Sequence, residues 1–143
     1  MNKGVEYKPI FRGKTDGGIW IQSDCIMQFN PHPISNKDEI HLWTKENGWT
    51  KIDIETFGIY IGVEDKNETK IFTDDIVRGK EYDDSDVEYR IFLERRGACF
   101  VGKEGRFYEL IFDRDEGIYI SEFEVVGNIH DSEDVWAPIP DQY

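Results

Sequence analysis

Apolar and polar positions along the chain alternate with a period near two, and turn-forming residues interrupt the alternation repeatedly. That is the pattern of strands with one buried face. In the run Ile19–Phe29, residues Ile19, Ile21, Cys25, Met27 and Phe29 share one parity, while Gln22, Asp24 and Gln28 share the other. Trp20 and Ile26 interrupt the polar side, so that side is expected to be half covered. Paired with Val5–Phe11 across the Gly-rich stretch 12–18, the run predicts a hairpin. Asn30-Pro31-His32-Pro33 ends it, because proline donates no ladder hydrogen bond and restricts its predecessor. A second hairpin is expected from Glu39–Thr44, a turn at 45–48, and Trp49–Ile52, since Asn47-Gly48 suits the positive φ of tight turns. A short turn over 53–56 leads into a strand over 57–63. Past the polar turn 64–70, residues 71–75 are expected to make one helical turn, followed by strands over 76–78, 87–93, 98–101, 106–112, 118–123 and 124–129. No stretch of 11 or more residues carries a helical period. The expectation is a mainly β protein with little helix, built from an N-terminal β-hairpin region (1–62) and a C-terminal small SH3-like β-barrel with an acidic tail (63–143).

Composition narrows the class. The chain has 143 residues, 17 Lys+Arg against 30 Asp+Glu, and a net charge of −13. Its 9 Phe, 7 Tyr and 4 Trp supply enough burial to offset ordering entropy, which excludes a disordered acidic tail. The acid excess disfavours direct binding of double-stranded nucleic acid, which needs a surplus of Lys and Arg. No apolar run approaches a membrane span, and the N-terminus has no apolar export segment. A soluble cytoplasmic protein is therefore expected, with Cys25 and Cys99 as reduced thiols.

At residues 58–77 the sequence GIYIGVEDKNETKIFTDDIV resembles the YopX family of small phage and prophage proteins. Phe11-Arg12-Gly13-Lys14 followed by Gly18-Ile19-Trp20 is similar to that family's opening, and Val125-Val126-Gly127-Asn128-Ile129-His130-Asp131 to its close. The matching positions include Gly58, Tyr60, Gly62, Asp65, Asn67, Asp75, Ile76, Val77, Gly127 and Asn128. The sequence departs from the family wording at Ile59 and Ile61, at Glu68 where Gly is usual, and at Thr73-Asp74 where Glu-Gly is usual. The two missing glycines leave the type of both turns open. The resemblance implies fold and a phage setting, and supplies no catalytic residue. On physical grounds the motif reads as structural: two glycines flank an apolar strand, Asp65-Lys66-Asn67 makes a turn, and Asp75 can accept backbone N–H groups.

Candidate chemistry is sparse. Asp113-Arg114-Asp115-Glu116-Gly117 superficially suits calcium, but an EF-hand-like loop needs Gly where Ile118 stands and helices where strands are expected. His32, His41 and His130 have no metal-ligand spacing; His32 reads as a loop residue and His130 as an aromatic packing residue. No nucleophile elbow or phosphate loop is present. The expectation is no catalytic residue, no cofactor and no metal. Charge is more distinctive: Glu64–Glu88 holds ten acids against four bases, Asp113–Asp134 eight acids against one base, and the intervening Arg90–Arg106 five bases against two acids.

Together these features predict a non-enzymatic, phage-derived protein-interaction module that forms a homo-oligomer and has a protein partner. Glu81, Asp83, Asp84, Asp86, Asp113, Asp115 and Glu116 form the candidate interaction surface. One alternative is an acidic, DNA-mimic-like inhibitor of a host nucleic-acid-binding protein. The other is a small-ligand or nucleotide binder, which requires Tyr60, Asp75 and Asn128 to meet around a cavity.

Overall fold

The computed structural model describes residues 9–24, 27–30, 38–80, 86–94, 97–102, 107–109 and 122–132. The chain divides into two units, Met1–Tyr60 and Ile61–Tyr143. Strands dominate both.

In the first unit, β1 (Ile10–Lys14) pairs antiparallel with β2 (Trp20–Asp24) around a turn closed by Thr15 N–H donating to Ile19 O at 2.9 Å. Arg12, Gly13 and Lys14, expected in the turn, are strand residues. Gly13 explains why: a Cβ there would lie 2.1 Å from Ile52 Cδ1, so the strand runs flush against a buried side chain. The run 19–29, expected as one strand, is two. β2 pairs with β1, whereas β3 (Met27–Asn30) pairs with β4 (Glu39–Thr44), which pairs with β5 (Gly48–Ile52). Lys45, Glu46 and Asn47 turn β4 into β5, with the Thr44 hydroxyl accepting from Asn47 N–H at 3.2 Å and only Gly48 at positive φ (66°). That is a three-residue loop closed by a left-handed residue, instead of a two-residue turn with both residues left-handed. Ile40, Leu42 and Ile52 form the core of this unit, with Phe11, Ile21 and Phe57 against them. The Phe11 and Phe57 rings stack at 5.6 Å. A single turn of 3-10 helix (Ile54–Thr56) follows, capped by the Asp53 carboxylate, which accepts from Glu55 N–H at 3.1 Å.

β6 (Gly58–Glu64) carries the chain from the first unit into the second, its start paired with β1 at Gly58 and Ile59. The second unit continues with β7 (Lys70–Phe72), β8 (Asp75–Lys80), β9 (Asp86–Glu94), β10 (Gly97–Gly102), β11 (Phe107–Glu109) and β12 (Glu124–Asn128). The helical turn expected at 71–75 is absent: β7 enters β8 through Thr73 and Asp74, and Asp74 is left-handed at φ 69°. A helix needs negative φ throughout, so this residue commits the chain to a tight reversal. Glu68, in the turn between β6 and β7, is left-handed too at φ 64°. These two are the positions where the YopX-like wording usually has glycine. The turns have kept a glycine backbone without glycine, at a cost of about 1–2 kcal/mol each.

The large sheet of the second unit has strand order β11-β10-β9-β8-β12. Its core joins Ile71, Val77, Tyr89, Ile91 and Phe123, with the Tyr89 and Phe123 rings stacked at 5.7 Å. A Cβ on Gly79 would lie 2.5 Å from the Phe123 ring, so this glycine admits the aromatic. Among the described residues β11 and β12 are the edges of this sheet and none of the three sheets closes, so the expected SH3-like barrel is not seen among them. Of the strand expected over 118–123, only Glu122 and Phe123 lie within the described residues, and they turn instead of extending. A bulge between Val125 and Gly127 bends the β12 edge.

Candidate functional site

The motif residues from Gly62 onward occupy the second unit, with Gly58 and Tyr60 at the end of the first, and the carboxylates among them spend their oxygens on the fold. Asp65, 5% exposed, accepts from Asn67 N–H (2.8 Å) and Thr69 N–H (2.9 Å) with Oδ1, and from Val125 N–H (2.8 Å) with Oδ2. One carboxylate thereby shapes its own turn and fastens β12, sixty residues on. Burial pushes this carboxyl up, but the three N–H donors and Lys66 outweigh burial and hold it below the ordinary 3.8. Asp75, 1% exposed, accepts from Phe72 N–H at 2.8 Å and sits opposite Asn128 in the β8–β12 register. The Asn128 side-chain oxygen accepts from His130 N–H (2.9 Å) and Asp131 N–H (3.0 Å), and its amide donates to the Asp131 carboxylate (2.8 Å).

Asp74 holds a second node. Its Oδ1 accepts from Arg90 Nε (3.0 Å) and Nη2 (2.8 Å), and its Oδ2 lies 3.0 Å from His130 Nε2. All three side chains are about four-fifths buried. Burial pushes Asp74 up, while His130, then Arg90, more than reverse that and keep it below 3.8. His130 therefore makes a direct side-chain contact with a carboxylate where packing alone was expected. With both carboxylate oxygens occupied, the arrangement clamps the β7–β8 turn to β9 and to the segment after β12.

Of the residues proposed for a ligand pocket, Asp75 and Asn128 lie opposite one another in the β8–β12 register. Asp75 and Asn128 are bonded to local backbone, and the cleft described below is lined by neither of them nor by Tyr60. Of the acidic candidates, Glu81, Asp83, Asp84, Asp113, Asp115 and Glu116 lie outside the described residues, as do the calcium-like loop, His32 and Cys25. Asp86 is within them, exposed and 3.9 Å from Lys80 Nζ. Among the described residues no three His, Cys, Asp or Glu side chains converge as a metal site requires.

A different surface, in the first unit, is open. Register places Trp43 directly opposite Trp49 and His41 opposite Lys51, so these four share the outward face of the β3–β4–β5 sheet with Glu39. Trp49 is 50% exposed and Trp43 37%. Trp20 on β2 contrasts with them: Arg12 lies 4.9 Å and Lys14 5.5 Å from its ring, so cations already cover it. At the Glu39–Lys51 end, where the two side chains pair at 3.5 Å, a cleft of about 760 Å³ opens. Asp16, Asp38, Glu39 and Asp53 line it against Lys14 and Lys51, leaving a carboxylate excess. The sequence reading missed this face, although the Asn-Gly hairpin fixed its register: two tryptophans fall on the polar parity of facing strands.

The fold and its motif nodes define an all-β protein of three antiparallel sheets whose motif residues hold its turns. The chain belongs to the YopX family: the match to "YopX protein" covers residues 11–134. Among solved structures it is similar to the crystal structure of protein EF1440 from Enterococcus faecalis, with 20% identity, 85% of this chain and 93% of that chain covered, and a TM-score of 0.46. No curated protein matches the chain. Among the described residues no helix is long and apolar enough to cross a membrane.

Proposed function

We propose that this protein is a non-enzymatic, phage-derived protein-interaction module, and that it engages its partner through the outward face of the β3–β4–β5 sheet. The observation that carries the reading is the Trp43–Trp49 pair. Two large aromatics placed side by side on a regular sheet and left in water are costly unless a partner covers them. Tryptophan is also the residue type most enriched at the energetic centres of protein interfaces. On this reading the protein works in the cytoplasm of the bacterial host, and duplex nucleic acid is disfavoured as a direct ligand by the net charge of −13. Met27 and Phe29 support a homo-oligomer. They face the same side as Leu42 and Ile40 yet stay 38% and 48% exposed on an edge strand.

The acidic-inhibitor reading is favoured by one observation, the carboxylate excess along the cleft beside Glu39. The two readings separate in one experiment: capture from host lysate by the wild-type chain and by Trp43→Ala/Trp49→Ala, at low salt and at about 0.5 M salt. The aromatic-face reading expects a captured protein that survives the salt and is lost with the tryptophans. Capture that disappears in salt and ignores the tryptophans favours the acidic inhibitor.

A further inference from the structure

The outward face of β4 and β5 is a ladder of three rungs: Trp43 with Trp49, His41 with Lys51, and Glu39 at the margin of the cleft. Alternate residues of a strand stand about 6.8 Å apart, so the tryptophan rung and the Glu39 rung are separated by about 13 Å. The rungs differ in what they attract. The tryptophan faces attract a cation through the negative face of the indole ring. The middle rung carries the Lys51 ammonium, which repels one. The last rung joins Glu39 to the carboxylates of Asp16 and Asp38, which attract one.

Resting on the interaction reading above, we infer that the occupant of this face is an extended segment of a protein partner with Lys or Arg at positions i and i+4 and an acidic residue at i+2. An extended peptide lying across the side-chain face of β4 repeats its own side chains on one face every second residue, so its spacing matches the ladder rung for rung. The first cation stacks on Trp43 and Trp49. The acid at i+2 draws Lys51 from its exposed, weak pairing with Glu39, and the second cation takes the place of Lys51 beside Glu39 and Asp38. The order of charges, not their total, is what the surface reads.

The test is a fluorescence titration of the full chain with three seven-residue peptides of otherwise small polar residues. The first has Arg at its second and sixth positions and Glu at its fourth. The second has the same composition with the two Arg adjacent. The third has Glu at its second and sixth positions and Arg at its fourth. The expected result is binding of the first peptide roughly tenfold tighter than the second, with the third weaker still. Trp49→Ala lowers affinity for the first peptide, while Glu64→Gln/Glu122→Gln, exposed carboxylates in the second unit, leaves it unchanged. Lys51→Glu inverts the middle rung and raises affinity for the third peptide relative to the first. This variant sits at an exposed position and keeps the test independent of the tryptophans. Equal binding of the first two peptides, or loss in the Glu64→Gln/Glu122→Gln control matching that in Trp49→Ala, would mean general attraction to an acidic chain and overturn the inference. Should the peptides bind equally while lysate capture still depends on Trp43 and Trp49, the interaction reading stands and only this occupant falls.

Discussion

The motif region of the second unit and the outward hairpin face of the first unit use polar and aromatic residues in opposite ways. Around Asp65, Asp74 and Asp75, carboxylates are buried and saturated: three backbone N–H donors on Asp65, Arg90 and His130 on Asp74, and Phe72 N–H on Asp75. On β4 and β5, Trp43, Trp49 and Lys51 face water. The difference teaches that the buried carboxylates of the family motif maintain turns and strand pairing, while the face proposed for recognition lies outside the motif.

The largest expected effect that sharpens this comparison is on stability. Asp65→Ala strands three backbone N–H groups and detaches β12 from the β6–β7 turn, and should cost about 3 kcal/mol in a denaturant melt. A loss below about 1 kcal/mol would break the assignment of Asp65 as a structural hub. Gly13→Ala and Gly79→Ala come next. Each forces a methyl into Ile52 or into the Phe123 ring and should cost about 1–3 kcal/mol by the same measurement.

Acid should act through the carboxyls of the second unit. Both Asp65 and Asp74 are held below 3.8 in the folded chain, so their stabilisation is largely in place above that pH and is lost as pH falls through the folded-state values. Denaturant midpoints between about pH 5 and pH 2 should decline, and Asp65→Asn should flatten the decline. An equal slope in that variant would place the acid sensitivity elsewhere. The smallest effects concern the two left-handed turn residues. Glu68→Gly relieves backbone strain at an exposed turn and should gain about 0.5–1 kcal/mol after the entropy of glycine is charged against it. Asp74→Gly relieves the same strain but deletes the partner of Arg90 and His130, and should be destabilising in the same melts.

Much of the fold was legible because strand periodicity and turn chemistry are local. The expected Glu39–Thr44 coincides with β4, and the Asn-Gly turn lies where its residues demanded. What failed was non-local. The split of 19–29 into β2 and β3 depends on which neighbour each half pairs with. Sheet closure depends on whether distant edges meet. The helical turn expected at 71–75 fails at Asp74, whose N–H donates to Ile91 O and whose carboxylate is held by Arg90 and His130. The Asp74 node joins residues 16 and 56 positions apart, which no spacing rule reaches. The tryptophan face was legible in principle, since hairpin register and strand parity place Trp43 beside Trp49, although neither residue belongs to the motif.

The central claim is tested most directly by one double variant, Trp43→Ala/Trp49→Ala, measured for both thermal stability and partner capture. The account predicts a cooperatively folded variant, its Tm lowered by the apolar burial lost from two half-covered indoles, together with loss of the captured partner. Capture that persists undiminished in a folded double variant would contradict it.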